Sequence, residues 1–268
     1  MTDIKRCAYC GRPGPFTNEH VVPAFLYRAC PNQKTMYHPA KDEYIKTEIK
    51  VGDVCRECNS GPLSELDACG KTFFETNECM RAFKAGQLVR VEYDYATLLR
   101  WLLKLSFNSA RAMKNQSNVL ETSAGFILGR DELSLNAALM LEIVSEPDHA
   151  GLSDVDHDRL VDDGASLSSW FRFGRFGISN CEISPVESRF VVLNAFHLYV
   201  ALFPTDVPRR QRQEWTTRLQ AEWQFVTAIS PGRTAVTVRV SNRTSFDTHN
   251  REQLLSQMPA WQRHVGLK

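Results

Sequence analysis

Cys7-Ala8-Tyr9-Cys10 and Cys55-Arg56-Glu57-Cys58 are two cysteine pairs of the same spacing, and Glu19-His20-Val21-Val22-Pro23 lies between them. A Cys-x-x-Cys pair turns the chain so that two thiolates face one point, and two such pairs supply the four sulfur ligands of a tetrahedral zinc site. Such a closed site stabilises a fold but leaves no open coordination position for chemistry. We therefore predict structural zinc at Cys7, Cys10, Cys55 and Cys58, with reactive thiols or an iron–sulfur cluster as the alternatives.

Three polar residues near these pairs are suited to chemistry. The carboxylate of Glu19 can bind a hard cation, the imidazole of His20 can accept a proton near neutral pH, and the amide of Asn59 directly follows the last thiolate. A histidine that only hydrogen-bonds within a hairpin is the structural alternative for His20.

The order of these motifs resembles a known family. Cys-x-x-Cys-Gly, then Glu-His-x-x-Pro, then Val-Cys-x-x-Cys-Asn-Ser-Gly-Pro-Leu-Ser-x-Leu-Asp is similar to the HNH endonucleases of the ββα-metal group whose finger is held by four cysteines, over roughly residues 5–70. The resemblance implies a hairpin and a helix joined at zinc. It also implies that His20 is the general base of phosphodiester hydrolysis, and that Glu19 and Asn59 bind a catalytic Mg²⁺ or Mn²⁺.

This chain departs from the family pattern at several positions. Many members have Asp in place of Glu19 and His in place of Asn59. Lys50 stands five residues before Cys55, where the hairpin-bracing Asn of the family is expected. Asp67 closes the motif, either as a group near the cation or as an ordinary surface or capping carboxylate.

The hydrophobic pattern predicts an α+β fold with two domains, an HNH-like ββα-metal finger over residues 1–80 and an α+β domain with a mainly antiparallel sheet over residues 85–268. We expect the hairpin strands at residues 16–26 and 44–51, with a helix starting at 59–62. A Leu-rich helix is predicted at 95–113, another helix at 131–139 and a last helix at 250–264. Strands are predicted at 140–144, 170–183, 190–193, 196–203, 223–229 and 234–240. The role of the second domain stays open between target recognition, regulation and oligomerisation.

Composition bounds the class of protein. The 268 residues carry a formal net charge of +1, far from the basic excess of a protein that binds nucleic acid over its whole surface. The segment from residue 208 onward contains ten basic and four acidic residues, which indicates either a basic binding face or a solvated helix. Arg209-Arg210-Gln211-Arg212 has the same two interpretations. The aromatic and arginine-rich residues 169–177 indicate either a strand, which we favour, or a platform for single-stranded nucleic acid.

The eight cysteines and the lack of a signal-like or membrane-spanning stretch predict a soluble cytoplasmic protein in a reducing compartment. The unpaired Cys30, Cys69, Cys79 and Cys181 are expected to be buried free thiols.

The expected function is metal-dependent endonuclease activity on nucleic acid, with DNA as the first choice. A single site cuts one strand at a time, so cutting both strands would need a homodimer or two events. Two alternatives stay open. One is a non-catalytic zinc-finger module that binds nucleic acid or protein, and the other is a nuclease that is silent until a regulatory partner protein arrives.

Overall fold

The computed structural model describes residues 5–29, 36–38, 41–45, 48–114, 117–145, 171–177, 184–223 and 225–243. The chain combines helices with antiparallel sheets, so the predicted α+β class is confirmed. Within these ranges, no helix combines the length and the apolar character needed to cross a membrane. The last predicted helix, at 250–264, lies outside the described residues.

The N-terminal hairpin joins β1 (Phe16–His20) to β4 (Lys50–Cys55). Phe16 pairs with Cys55 and His20 with Lys50, and the register shifts between Thr17 and Glu19. The prediction of 44–51 as the second arm holds only for Lys50 and Val51, which pair with β1. It was wrong for the earlier residues, because β3 (Glu43–Ile45) pairs with β2 (Met36–His38) as a separate small hairpin. Residues 43–45 and 50–55 both alternate well enough for a strand, so the periodicity of the sequence could not tell which of them pairs with β1. The short helix α1 (Ala24–Ala29) follows Pro23, where the sequence predicted a strand.

Three helical segments follow Cys55 directly, with a kink at Gly61. They are α2 (Arg56–Cys58), a π-helical turn (Asn59–Leu63) and α3 (Ser64–Thr76). Gly61 has non-helical dihedral angles of φ −103° and ψ −110°, and Pro62 offers no backbone N–H, so the chain kinks before the regular helix begins. The predicted helix start at 59–62 is therefore irregular, and α3 begins two residues later.

The Leu-rich stretch forms α4 (Tyr95–Ala112), close to the predicted bounds. The side chain of Asp94 caps its start by accepting a hydrogen bond of 2.7 Å from the backbone N–H of Thr97. This helix packs on α3, where Gly70 lies against Trp101 with no space for a side chain: an added Cβ would be 2.1 Å from the indole. Buried leucines on several sides of α4 place it at the centre of the main core.

The second part of the chain is built on a five-stranded antiparallel sheet. Its order is β10 (Thr227–Ile229), β6 (Asn136–Ile143), β9 (Phe196–Phe203), β8 (Glu187–Leu193) and β7 (Phe171–Arg175). The prediction of a helix at 131–139 was wrong, because Asn136 to Leu139 belong to β6. Ala and Leu have good helix propensity, but pairing with the fully buried β9 outweighs it. The two short helices α5 (Asn118–Thr122) and α6 (Ala124–Ile127) precede this strand.

One face of the five-stranded sheet packs on α4. The other face is covered by α7 (Arg209–Glu222), whose Trp215 packs on Phe203 with 5.2 Å between ring centroids. Arg209 and Arg210 begin this helix and are exposed. In the stretch 171–177, Phe171 is buried and the partly buried Phe176 packs on Tyr199, so the strand interpretation is confirmed for residues 171–175.

A separate ribbon pairs β5 (Leu88–Glu92) with β11 (Ala235–Arg239). One hydrophobic core cluster contains residues of the hairpin, α3, α4, the ribbon and the large sheet. The N-terminal finger is thus packed directly on α4. Cys79 is buried, as expected, but Cys69 is exposed because it faces away from the buried stripe of α3. Cys30 and Cys181 lie outside the described residues.

Candidate functional site

The four predicted cysteine ligands come together. All four Sγ atoms of Cys7, Cys10, Cys55 and Cys58 lie within 4.8 Å of one another, and Cys10 Sγ is 3.6 Å from Cys55 Sγ. Four sulfurs at about 2.3 Å from a tetrahedral ion would lie about 3.8 Å apart, so the spacing fits a single ion. Three of these cysteines are buried and Cys10 is partly exposed. A tight turn supports the first pair, since the N–H of Gly11, at φ +69°, donates to the carbonyl of Cys7.

The pKa values of Cys10 and Cys58 differ from the ordinary value of a thiol in opposite directions. Burial raises the pKa of Cys10, but hydrogen bonds from Arg12, Cys55 and Cys58 outweigh it and bring the pKa to about 6. Burial and the neighbouring thiols raise the pKa of Cys58 far above its ordinary value. Four close thiols therefore do not all ionise by themselves, because each negative charge opposes the next. A cation among them would remove this conflict, which is the behaviour expected of a metal centre.

His20 is held by a carboxylate that the sequence analysis did not identify. His20 Nε2 lies 2.7 Å from Glu48 Oε2, and Lys50 Nζ lies 3.1 Å from the same oxygen. An ionised carboxylate only accepts hydrogen bonds, so Nε2 carries a proton, and in the neutral imidazole Nδ1 then has the free lone pair. Nδ1 has no partner within the described part of the chain. Hydrogen bonding by His20 and Lys50, in that order, lowers the pKa of Glu48.

Lys50 stands where the family resemblance expects a bracing Asn, and it lies opposite His20 in the hairpin register. It contacts Glu48 and not the imidazole. The contact with His20 comes instead from Glu48, two residues before β4 begins.

Asn59 is anchored to β1 through its nitrogen. Nδ2 donates to Thr17 Oγ1 at 2.8 Å and to the backbone carbonyl of Asn18 at 3.3 Å. A carbonyl can only accept, and the hydroxyl of Thr17 already donates to the carbonyl of Val54, so the amide orientation is fixed. Asn59 Oδ1 makes no hydrogen bond to any described residue.

Glu19 belongs to a buried ion cluster. Its Oε1 lies 2.6 Å from Lys104 Nζ, and the same ammonium lies 2.6 Å from Asp67 Oδ1. Lys104 is fully buried and Glu19 is 4% exposed. Burial raises the pKa of Glu19, while Lys104 acts in the opposite direction. Glu19 Oε2 has no hydrogen bond or ion pair within the described ranges.

Asn108 of α4 connects this cluster to the finger. Its Nδ2 donates to the backbone carbonyl of His20 at 3.2 Å and lies 3.4 Å from Glu19 Oε1. Its Oδ1 accepts from the hydroxyl of Tyr9, at 2.6 Å, and from Arg111, at 2.8 Å. Tyr9 lies between Cys7 and Cys10, so α4 contacts both the cysteine loop and the His20 strand through one amide.

Sequence reasoning missed Lys104, Asn108 and Glu48. A signal for the first two was present, because Lys104, Asn108 and Arg111 recur at helical spacing in an otherwise apolar helix, and all three side chains turn toward the finger. Glu48 gave no such signal, since it lies in an irregular segment.

The three proposed catalytic side chains are each held in the same way. Each of Glu19, His20 and Asn59 is fixed through one polar atom, while Oε2, Nδ1 and Oδ1 respectively have no partner among the described residues. Over the same residues, the four cysteines form the only group of three or more His, Cys, Asp or Glu side chains whose ligand atoms are close enough to share an ion.

Comparisons of this chain with protein-family models, with curated proteins and with solved structures find no match. The resemblance to HNH nucleases therefore depends on the motif residues themselves.

Proposed function

We propose that the protein is a metal-dependent nuclease of the HNH kind, which hydrolyses phosphodiester bonds in nucleic acid, with DNA as the first candidate substrate. The observation that carries the proposal is the 2.7 Å contact between His20 Nε2 and Glu48. With the proton on Nε2, the lone pair of Nδ1 is available to accept a proton from water. A neutral imidazole can do this near neutral pH, as a general base must. The side chain of His20 is 30% exposed, so solvent reaches it.

The proposed catalytic cation is Mg²⁺ or Mn²⁺. Glu19 Oε2 and Asn59 Oδ1 would hold it, because each is an oxygen donor on a side chain already fixed through its other polar atom. When bound, such a cation neutralises charge on the phosphate and on the leaving oxygen. Anchoring of both side chains before the cation binds would reduce the entropy lost on binding.

We propose zinc as the ion of the four-cysteine centre. Four thiolates in tetrahedral arrangement select zinc among the common divalent ions, and a closed site of this kind acts in folding and not in catalysis. It would fix the ends of β1 and β4, since Cys55 closes β4 and its backbone N–H lies 3.3 Å from Cys7 Sγ.

A non-catalytic binding module is the second candidate, and the ion pair of Glu19 with Lys104 favours it. An ammonium at 2.6 Å already compensates the negative charge of this buried carboxylate. In that interpretation Glu19 holds α4 to the finger and His20 only supports the hairpin through Glu48.

A nicking assay separates the two candidates. Supercoiled plasmid is incubated with the wild type, with His20→Ala and with Glu75→Gln, an exposed change on α3, in the presence of Mg²⁺ or Mn²⁺. A nuclease produces open-circular plasmid in a cation-dependent manner, and only His20→Ala loses the activity. Intact plasmid in every lane, together with retarded migration of DNA in a gel-shift experiment, supports the binding module. Zinc content measured for each variant shows that the finger is intact.

A further inference from the structure

A second cluster of charged side chains lies far along the sequence from the finger, at the end of the edge strand β7. Arg175 contacts Glu187 with both ends of its guanidinium, at 3.0 Å from Nε to Oε1 and 3.3 Å from Nη2 to Oε2. Arg189 Nε lies 2.9 Å from Glu187 Oε1. The hydroxyl of Ser117 also donates to Glu187. Both arginines therefore share one carboxylate.

The two arginines stand directly opposite each other in the pairing of β7 with β8. Like charges at directly opposed positions of an antiparallel pair repel each other, and here one carboxylate faces two guanidinium groups. Within the described residues, the cluster of Arg175, Arg189 and Glu187 thus carries one surplus positive charge. Arg189 and Glu187 are each 5% exposed, so water screens little of it.

Arg189 is also incompletely hydrogen-bonded. Its Nη2 is buried and has no hydrogen-bond partner in the described part of the chain. Burial lowers the pKa of this guanidinium, the Glu187 carboxylate opposes the effect, and Arg175 adds to it. A buried donor without an acceptor is costly, and native structures usually provide one. The side chain of Arg175 is 48% exposed, so the cluster reaches the surface on one side.

We propose that Arg175 and Arg189 form a binding site for an oxyanion of the phosphate class, in which Arg189 provides the buried donor and Arg175 the accessible one. A phosphate group offers several acceptor oxygens and a negative charge, which match the planar guanidinium fork and the surplus charge. Two sources share this chemistry, a free small phosphate and a phosphate of a nucleic-acid backbone. The site does not depend on the proposed nuclease activity.

Thermal unfolding of the full chain tests this proposal. The probe is inorganic phosphate, compared with sodium chloride at equal ionic strength, on the wild type, Arg189→Met, Arg175→Gln and the exposed control Arg210→Gln. Each cluster variant leaves one arginine paired with Glu187, so neither buries an uncompensated carboxylate. We expect Tm of the wild type and of Arg210→Gln to rise by about 5 °C at a phosphate concentration a hundredfold above Kd. Both cluster variants should lose this rise.

The proposal is overturned if the wild type gains no more from phosphate than from chloride, or if the cluster variants keep the full gain. Phosphorus-31 line broadening of inorganic phosphate, measured on the same proteins, gives a second readout that does not depend on stability. A short oligonucleotide then identifies the source. If it displaces phosphate from the wild type, the site accepts a backbone phosphate, and if it does not, the site is specific for a free oxyanion. Failure of the nicking assay would leave both measurements unaffected.

Discussion

The ammonium of Lys104 lies 2.6 Å from the carboxylate of Glu19, and neither side chain is accessible to more than a trace of solvent. Glu19 lies on β1 of the finger and Lys104 on α4, so this ion pair joins two parts of the chain that are distant in sequence. Asp67 shares the same ammonium and receives a hydrogen bond from the indole N–H of Trp101 at 3.2 Å. The acidic residue of the Glu-His motif is thus part of the interface between the finger and the body of the protein.

Replacing Lys104 by Met should destabilise the protein strongly. The change keeps the length of the side chain but leaves two carboxylates, Glu19 and Asp67, without their shared cation. Removing one partner of a buried ion pair costs about 3–5 kcal/mol. Urea unfolding followed by tryptophan fluorescence measures the loss. The matched control is Lys71→Met on the exposed face of α3, where the pair with Glu75 is solvated and the change should stay within about 0.5 kcal/mol. Equal losses in the two variants would show that the buried ion pair contributes no more to the free energy of unfolding than the solvated pair of Lys71 with Glu75.

Removing the proposed zinc should unfold the finger more than the rest of the chain. A chelator, or Cys55→Ser, would leave close sulfurs without a compensating cation, at a centre that closes the hairpin. We expect one zinc per chain in the intact protein. Hydrogen exchange should then speed up first in β1 and β4 and later in the five-stranded sheet. Cys69→Ser, at an exposed thiol of α3, is the control and should keep the metal. Uniform protection after metal loss would contradict the assignment of a structural ion.

The local parts of the fold and of the candidate site were predictable from sequence, and the contacts between residues distant in sequence were not. The cysteine centre and α4 follow from spacing and periodicity, which act over a few residues. The ion pair of Lys104 with Glu19 and the contact of Glu48 with His20 depend on how separate segments pack. The second arm was predicted at 44–51 and lies at Lys50–Cys55. This error has the same cause, because strand pairing is decided by the partner and not by the alternation within one strand.

Under the proposed nuclease function, Glu48→Ala should slow cleavage of nucleic acid without weakening substrate binding. Without the carboxylate on Nε2, the imidazole of His20 is free to rotate and to adopt the tautomer with the proton on Nδ1, in which Nδ1 has no lone pair to accept a proton from water. The contact is partly exposed, so we expect a loss of roughly tenfold in kcat with little change in KM. Steady-state kinetics on a labelled duplex measures both, and Glu75→Ala on α3 serves as the matched control. A rise in KM with unchanged kcat would place Glu48 in substrate binding.

Gly70→Ala should disturb the contact of α3 with α4. The new Cβ would lie 2.1 Å from the indole of Trp101, which is fully buried and also donates to Asp67. Overpacking of this kind costs about 1–3 kcal/mol or more, although Ala is the better helix former. Thermal unfolding should show a lower Tm, and tryptophan fluorescence should shift as the indole moves. Gly177→Ala, where an added Cβ meets nothing within 4 Å, is the control. A stabilised Gly70→Ala would mean that helix propensity outweighs the steric conflict.

Glu142→Gln should change how stability depends on pH. Glu142 is fully buried on β6, where the hydroxyl of Tyr199 donates to it at 3.1 Å. Burial raises its pKa, and Arg243 and Tyr199 oppose this only in part. The folded chain therefore keeps a proton on Glu142 at pH values where the unfolded chain has released it. The contribution of Glu142 to the free energy of unfolding falls as the pH rises from the ordinary pKa of Glu through the raised pKa of the folded state, and it is lowest above that raised pKa.

Gln at position 142 cannot ionise, so the variant does not lose this stability. The free energy of unfolding of Glu142→Gln relative to the wild type should therefore increase as the pH rises from about 4.5 to 7.5. Urea unfolding at each pH measures the difference, in which effects of pH on the four-cysteine centre cancel because both proteins share them. Glu75→Gln on the surface of α3 should give a difference that is nearly independent of pH. A difference for Glu142→Gln that shrinks with rising pH would mean that the folded state favours the ionised carboxylate, and that Arg243 outweighs burial.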